Sequence, residues 1–309
     1  MRFHDRPCTE NYSAKWKPSW CAHVKGIEWD PRNKDAKTAH AKGIMAFDKD
    51  GGFWITHSTP GFPRNSTLFD GWYFAWAERK FAQAFMCTSL GNDALNSVAG
   101  GMAISHPYVQ EYDIPEGLKS HFPTVYDWVK EDYYQAGNST QVVKTRGGTD
   151  IHVIEHYDNP HTDLWDDLVA PYLNTNLHVE TFCQCDNSSS IPGSNCGFHC
   201  CQKSICKGTK NTSDHTIQQI ELMQVTLRNG TTRTWDSNWT HAKWGFSTDH
   251  GNTEHYVCIG DQNRQHEVPS CAAGYGGMLD RGGGAACIRN ENMWKTLHSF
   301  VQKDECNMP

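Results

Sequence analysis

The stretch Ala39–Ser58, "AHAKGIMAFDKDGGFWITHS", sets a His and a Lys two positions apart, and Thr240–Gly251, "THAKWGFSTDHG", does so again. Each copy reads H-A-K, and each has an Asp six residues beyond its Lys: Asp48 after Lys42, Asp249 after Lys243. An apolar run follows each copy, "GGFWITHS" after the first and "EHYVCIGDQN" (Glu254–Asn263) after the second. Each unit reads as a strand bearing His and Lys, a turn with Asp and Gly, and a second strand ending in polar residues. His57 and Ser58 end the first unit; Asp261 and Asn263 end the second. Side chains two apart on a strand share a face. His40 is therefore expected beside Lys42, and His241 beside Lys243. A pseudo-twofold axis between the units would bring two His and two Lys into one cleft.

That constellation suits displacement at phosphorus. A neutral imidazole can attack and form a phosphohistidine. A second, protonated imidazole can donate to the leaving oxygen. Two ammonium groups can hold the non-bridging oxygens and stabilise the charge of the transition state. A single H-A-K is a coincidence in most chains; two copies with matched flanking strands carry the functional reading. No metal is required by this chemistry, and none is expected.

The rest of the chain supplies the frame. Its 309 residues suffice for a large, well-buried domain, and no stretch reaches the roughly 18 apolar residues of a membrane helix. Helices are expected over Trp72–Cys87, Phe122–Gly137, the residues after Thr162 as N-cap, and Glu291–Cys306. Hairpins are expected over Gln141–Tyr157, turning at Gly147-Gly148, and over Thr216–Asp236, turning at Asn229-Gly230. Mixed strands and helices indicate an α/β or α+β chain with a sizeable mixed sheet, and no low-complexity linker divides it.

Composition points to the secretory route, although the start "MRFHDRPCTENYS" does not read as a signal peptide. There are 13 Cys, too many for an ordinary cytosolic enzyme of this size. Sequons stand at Asn11, Asn65, Asn138, Asn187, Asn211, Asn229 and Asn238. The formal charge of −7 has the wrong sign for a nucleic-acid binder at neutral pH, but the 17 His can reverse it on acidification. "DRGGGAAC" (Asp280–Cys287) reads as a flexible loop, with a backbone phosphate cradle as the sharper alternative; it lacks the Lys-Ser/Thr of a P-loop. "HSTPGFP" (His57–Pro63) reads as a strand end with a rigid turn as readily as a catalytic element. "CQCDNSSSIPGSNCGFHCCQKSIC" (Cys183–Cys206) is expected to be disulfide-rich, with a zinc site as the alternative.

The stretches "AHAKGIMAFDKDGGFWITHSTPGFP", "YLNTNLHVETF", "HAKWGFS", "CIGDQNR" and "RGGGAACIRNENMWKTL" resemble the deoxyribonuclease II family of acid endonucleases, over about Ala39 to Cys306. The resemblance implies a phospholipase-D-like pseudodimer fold in one domain, with halves of about 1–160 and 161–309. It implies metal-independent cleavage of double-stranded DNA at acid pH without sequence specificity, leaving 3′-phosphate ends, in a lysosomal or secreted protein. It gives catalytic roles to His40, Lys42, His241 and Lys243, and supporting roles to His57, Asp261 and Asn263. It also implies Cys258–Cys287 and Cys196–Cys306 bridges; Cys87 is then expected to pair with Cys8 or Cys21. The segment "KWKPSWCAHVKGIEWDPRNKDAK" departs from the family pattern, so part of the sheet ahead of His40 is expected to be missing or replaced. A homodimer is left open and no membrane partner is expected. The competing readings are a catalytically impaired member that binds DNA or host proteins, and a phospholipase or other phosphodiesterase on the same fold.

Overall fold

Two antiparallel hairpins with the H-A-K triplets at their feet organise the molecule. The first joins β2 (Gly43–Asp48) to β3 (Gly51–His57), and the second joins β11 (Trp244–Ser247) to β12 (Tyr256–Gly260). The structure, a computed structural model, describes residues 2–4, 39–60, 76–130, 135–157, 162–182, 215–248, 254–264 and 281–304.

The first hairpin lies in a five-stranded sheet. β4 (Phe85–Leu90) flanks β3, and β1 (Arg2–His4) lies between β2 and β5 (Tyr108–Glu111). A strand from the chain's beginning thus fills the position next to β2. The second hairpin lies in a nine-stranded sheet with β6 (Asn138–Lys144), β7 (Asp150–His156), β8 (Leu177–Glu180), β9 (Ile217–Thr226), β10 (Thr232–Asp236) and β13 (Gly283–Arg289). Its order is β10-β9-β8-β11-β12-β13-β7-β6, and β14 (Val301–Asp304) pairs with β9. Every residue of β11 and β12 is buried, as expected of strands covered on both faces.

Helices and aromatic residues cover the sheets. α1 (Asn92–Ser105) and α2 (Pro123–Lys130) pack Leu95, Val98, Met102, Phe122 and Trp128 into one core with Met45, Trp54 and Ile151. On the large sheet, a π-helical turn (Leu164–Val169) running into α3 (Ala170–Leu173) lays Trp165 against the central strands. Gly260 permits this: a Cβ there would stand 2.7 Å from Trp165 Cζ2. α4 (Glu291–His298) covers another core of Trp244, Phe246 and Trp294. Cys258 and Cys287 face each other across β12 and β13 and form the expected disulfide, both fully buried.

Several expectations are corrected. The described part of Trp72–Cys87, from Trp76 on, is not an α-helix: a 3₁₀ turn occupies Trp76–Lys80, and Phe85–Cys87 start β4. Pairing with β3 overrides the local helical pattern there. The cap of the 164–169 turn is Asp163, not Thr162; its side chain accepts hydrogen bonds from the amides of Trp165 and Asp166. The last helix stops at His298, and Val301–Asp304 returns as a strand. "RGGGAAC" is neither loop nor cradle from Gly283 on, but the buried start of β13. Cys87 lies exposed on β4 with its thiol free, and its expected partners Cys8 and Cys21 lie outside the described residues. Cys196, Cys306 and the Cys183–Cys206 cluster also lie outside them. Asn138, at the start of β6, and Asn229, in the turn between β9 and β10, are exposed and open to modification.

Candidate active site

The triplets stand just before β2 and β11 rather than on them, so strand alternation does not align their side chains. A shared local closure does. Lys42 Nζ donates to the carbonyl of His40 at 3.0 Å, and Lys243 Nζ to that of His241 at 2.5 Å. Each lysine carbonyl then accepts from the far end of its hairpin: His57 N to Lys42 O at 3.1 Å, Gly260 N to Lys243 O at 2.8 Å. Both lysines are almost wholly buried.

The main chain crosses reciprocally between the two units. His40 N donates to Gly282 O, ahead of β13, at 3.1 Å; His241 N donates to Ala82 O, ahead of β4, at 2.8 Å. Ser58 N donates to Ala84 O at 3.0 Å, and Asp261 N donates to Gly284 O at 3.1 Å. Each His is therefore tethered to the strand approach that belongs to the other unit. That exchange draws the triplets together: Lys42 and Lys243 both bear electrostatically on His241 and on Asp261.

The two imidazoles have different surroundings. His40 Nδ1 meets the carbonyl oxygen of Asp261. A carbonyl only accepts, so Nδ1 carries a proton and Nε2 faces Lys42 Nζ, 3.4 Å away. His241 Nδ1 lies 3.2 Å from Glu78 Oε2, and its ring stacks on Phe81 at 4.2 Å with Phe182 edge-on at 5.1 Å. Burial holds the His241 pKa below its ordinary value, assisted by the Lys243 and Lys42 charges and opposed by Glu78. His57 is buried and stacked on Phe85 at 5.4 Å; its backbone closes the Lys42 hairpin while its ring packs. Asp261 and Asn263 are both buried, and Asp261 Oδ1 accepts from Gly284 N at 2.9 Å.

Sequence reasoning did not find Glu78, Glu155, Glu180, Gln262, Arg264 or Arg281. The signal for some of them was a polar run, Asp261-Gln262-Asn263-Arg264, directly after the apolar strand and buried throughout. Gln262 Oε1 accepts from Leu164 N at 3.1 Å and its Nε2 donates to Arg281 O at 3.1 Å. Arg264 Nε donates to Asp163 Oδ2 at 2.9 Å in an almost solvent-free ion pair. Arg281 Nη2 donates to Ala39 O at 3.0 Å, beside the first triplet. Glu155 presses on Gly284, where a Cβ would stand 2.3 Å from its carboxyl carbon. Burial, and then the Asp261 charge, push the Glu155 pKa well up; burial also raises Asp261 against the pull of Lys42, Lys243 and Arg281. Among the described residues, no group of three or more His, Cys, Asp or Glu could hold a metal ion.

Glu180 gives a stability prediction. Burial pushes its pKa up to about 7, although Trp235 Nε1 donates to Oε1 at 2.8 Å and Lys243 lies nearby. An unfolded Glu titrates near ~4.3, so between there and about 7 the folded state retains a proton that the unfolded chain loses. Its contribution is full at low pH and is lost as pH rises through that window. His156 and His241, lowered by burial, have the opposite slope below their ordinary ~6.5. Glu180→Gln keeps an acceptor for Trp235 and removes the titration. Thermal melts at pH 5 and pH 7.5 should show a smaller loss of Tm on raising the pH, or a larger gain, in the variant than in wild type. Identical Tm differences would remove Glu180 from the pH response.

A family model described as Deoxyribonuclease II matches residues 27–306. The chain is 31% identical over 286 residues to "Cell-death-related nuclease 7" of Caenorhabditis elegans, covering 90% of this chain and 67% of that protein. It is 26% identical over 267 residues to "Deoxyribonuclease-2-alpha" of Rattus norvegicus, covering 85% and 66%. It is 28% identical over 270 residues to "Putative deoxyribonuclease-2" of Burkholderia thailandensis, covering 86% and 66%. The chain thus spans about two thirds of the length of these relatives. No described helix is long and apolar enough to cross a membrane.

Proposed function

The chain belongs to the deoxyribonuclease II family, a family of nuclease hydrolases, and from that premise we propose that it is an acid endodeoxyribonuclease. It hydrolyses DNA phosphodiester bonds without a metal, through a phosphohistidine, and leaves 3′-phosphate ends. The supporting observation is the convergence of the two H-A-K triplets, whose lysines both act on His241 and Asp261. In this reading one domain spans 1–309, built of halves of about 1–160 and 161–309 arranged as a phospholipase-D-like pseudodimer. The reciprocal tethers of His40 to Gly282 and His241 to Ala82 support that symmetry. The compartment is lysosomal or secreted, in keeping with the 13 Cys and the sequons.

His241 is the nucleophile. Its lowered pKa favours the neutral, nucleophilic form on acidification, and Glu78 holds Nδ1–H so that Nε2 points at phosphorus. Nε2 forms the P–N bond as the P–O5′ bond breaks, and protonated His40 delivers its Nε2 proton to O5′. The ring becomes cationic, and the Glu78 carboxylate stabilises it. Neutral His40 then takes a proton from water as the water oxygen attacks phosphorus. The P–N bond breaks, the 3′-phosphate leaves, and His241 returns neutral. Lys42 and Lys243 hold the non-bridging oxygens and supply the positive charge the step requires.

Plasmid DNA at pH 5 in EDTA tests the reading. Purified protein should nick it, and fragments should become ligatable only after a 3′-phosphatase. A correctly folded protein that nicks nothing would leave a DNA- or protein-binding role instead. Glu78→Gln removes the carboxylate that raises the His241 pKa, so the acid limb of the pH–rate profile should move to lower pH. The rate at the optimum should fall roughly 10- to 100-fold with the loss of ring orientation, on the scale of outer-shell substitutions. An acid limb that stays in place would assign it to another group.

A further inference from the structure

Phe81, stacked on His241, also turns toward Trp239, with ring centroids 5.8 Å apart at 30°. The three rings lead outward from the imidazole to a Trp that is 47% exposed. Phe81 and Trp239 border a cavity of about 660 Å³, within the size range of small-ligand sites, and His241 lies behind Phe81, outside its lining. Phe81, Trp235 and Trp239 line it together with three cations, Arg79, Lys80 and Arg233. Lys80 Nζ stands 5.1 Å from the Phe81 centroid and 5.4 Å from that of Trp239. All three cations are exposed, while the single lining carboxylate among the described residues, Glu180, is buried and bonded to Trp235.

Open aromatic faces bordered by unopposed cations bind unpaired nucleotides, with bases stacking on the rings and phosphates meeting the charges. An intact duplex keeps its bases inside the helix and offers only its backbone. An apolar peptide would use the rings but leave the cations idle.

We propose that this cavity is a subsite for an unstacked nucleobase next to the scissile phosphate, so that the cleaved strand is single-stranded or locally opened there. The assignment rests on His241 as the reacting group, one ring away from the cavity wall.

The test measures binding, so that it stands apart from catalysis. Deglycosylated His40→Ala protein and its Trp239→Ala derivative are titrated at pH 5 against labelled fifteen-nucleotide oligothymidylate and an abasic strand of the same length. The parent should prefer the strand with bases. Trp239→Ala should lose roughly 5- to 100-fold on that strand, the scale of one base–aromatic stack, and little on the abasic one. Trp239→Phe should retain most of the affinity. If Trp239→Ala fails to fold, Trp239→Leu replaces it in the same comparison. Arg233→Gln should weaken both strands alike and reduce the salt slope by about one. Equal parental affinity for the two strands, or equal effects of Trp239→Ala on both, would overturn the subsite. So would an apolar dye that stays in the cavity at saturating oligothymidylate. Wild-type protein that nicks plasmid yet ignores bases defeats the subsite alone; one that selects bases yet nicks nothing defeats the catalytic reading alone.

Discussion

Plasmid nicking by His241→Ala and by His40→Ala should fall at least about 10⁴-fold below wild type at pH 5 in EDTA, because nucleophile and acid act as a unit. The two losses have different causes, and a substrate with a good leaving group separates them. p-Nitrophenolate departs without a proton. On a thymidine p-nitrophenyl phosphodiester, His40→Ala should therefore still form the P–N bond and release a burst of p-nitrophenolate equal to the enzyme present. It should then stall, since no base activates the water that breaks the intermediate. His241→Ala should give no burst, because the bond-forming nitrogen is gone. The assignment follows from the surroundings: Glu78 on Nδ1 of a ring whose pKa is held down, against a ring bonded to the Asp261 carbonyl and facing Lys42. A burst from His241→Ala with none from His40→Ala would exchange the roles. Full activity in either variant would dismantle the two-half mechanism.

The residues proposed to carry chemistry are legible in the sequence because their pattern is local and repeated. His40, Lys42, His241 and Lys243 are two tripeptides, and a tripeptide can be read without a fold. The reason they meet was not legible. It lies in main-chain bonds between residues about 160 to 240 positions apart, His241 to Ala82 and His40 to Gly282, which leave no trace in side-chain pattern. Glu78 was hidden for a related reason. The segment around it has helical apolar spacing, and only pairing of β4 with β3 reveals that the chain turns there and sends Glu78 to His241. α1 escaped notice altogether: eight of its 14 residues are buried, and Gly100-Gly101 interrupts an already weak amphipathic pattern. The second glycine is required because a Cβ at Gly101 would stand 2.9 Å from Glu155 Cγ. The same packing explains the misread "RGGGAAC". Its glycines admit the Ser105 carbonyl, Asp261 and Glu155 against β13 rather than a phosphate. The Cys258–Cys287 bridge was reached through resemblance; its cross-strand register appears only once β12 and β13 are paired.

Replacing Lys42 or Lys243 by Met should lower kcat by roughly 10²–10³, the scale of one charge-stabilising group, with a smaller change in KM. Both lysines are only 2% exposed, so their fields reach a bound phosphate with little screening by water. Each is aimed by the carbonyl of its own His, which fixes it relative to the imidazole it serves. Met preserves length and apolar packing while removing charge and donors. A second readout distinguishes this role from a merely structural one. Each lysine lowers the His241 pKa by repulsion, so removing either should raise it toward the ordinary value. The neutral nucleophile would then be depleted at higher pH, and the acid limb of the profile should move upward, opposite in direction to the shift expected for Glu78→Gln. Lys→Arg keeps the charge and should leave that limb near its wild-type position even if the bulkier guanidinium slows the reaction. A thousandfold loss in Lys42→Met with an unmoved acid limb, or a limb that moves equally in Lys42→Arg, would show that charge is not what the buried lysines contribute.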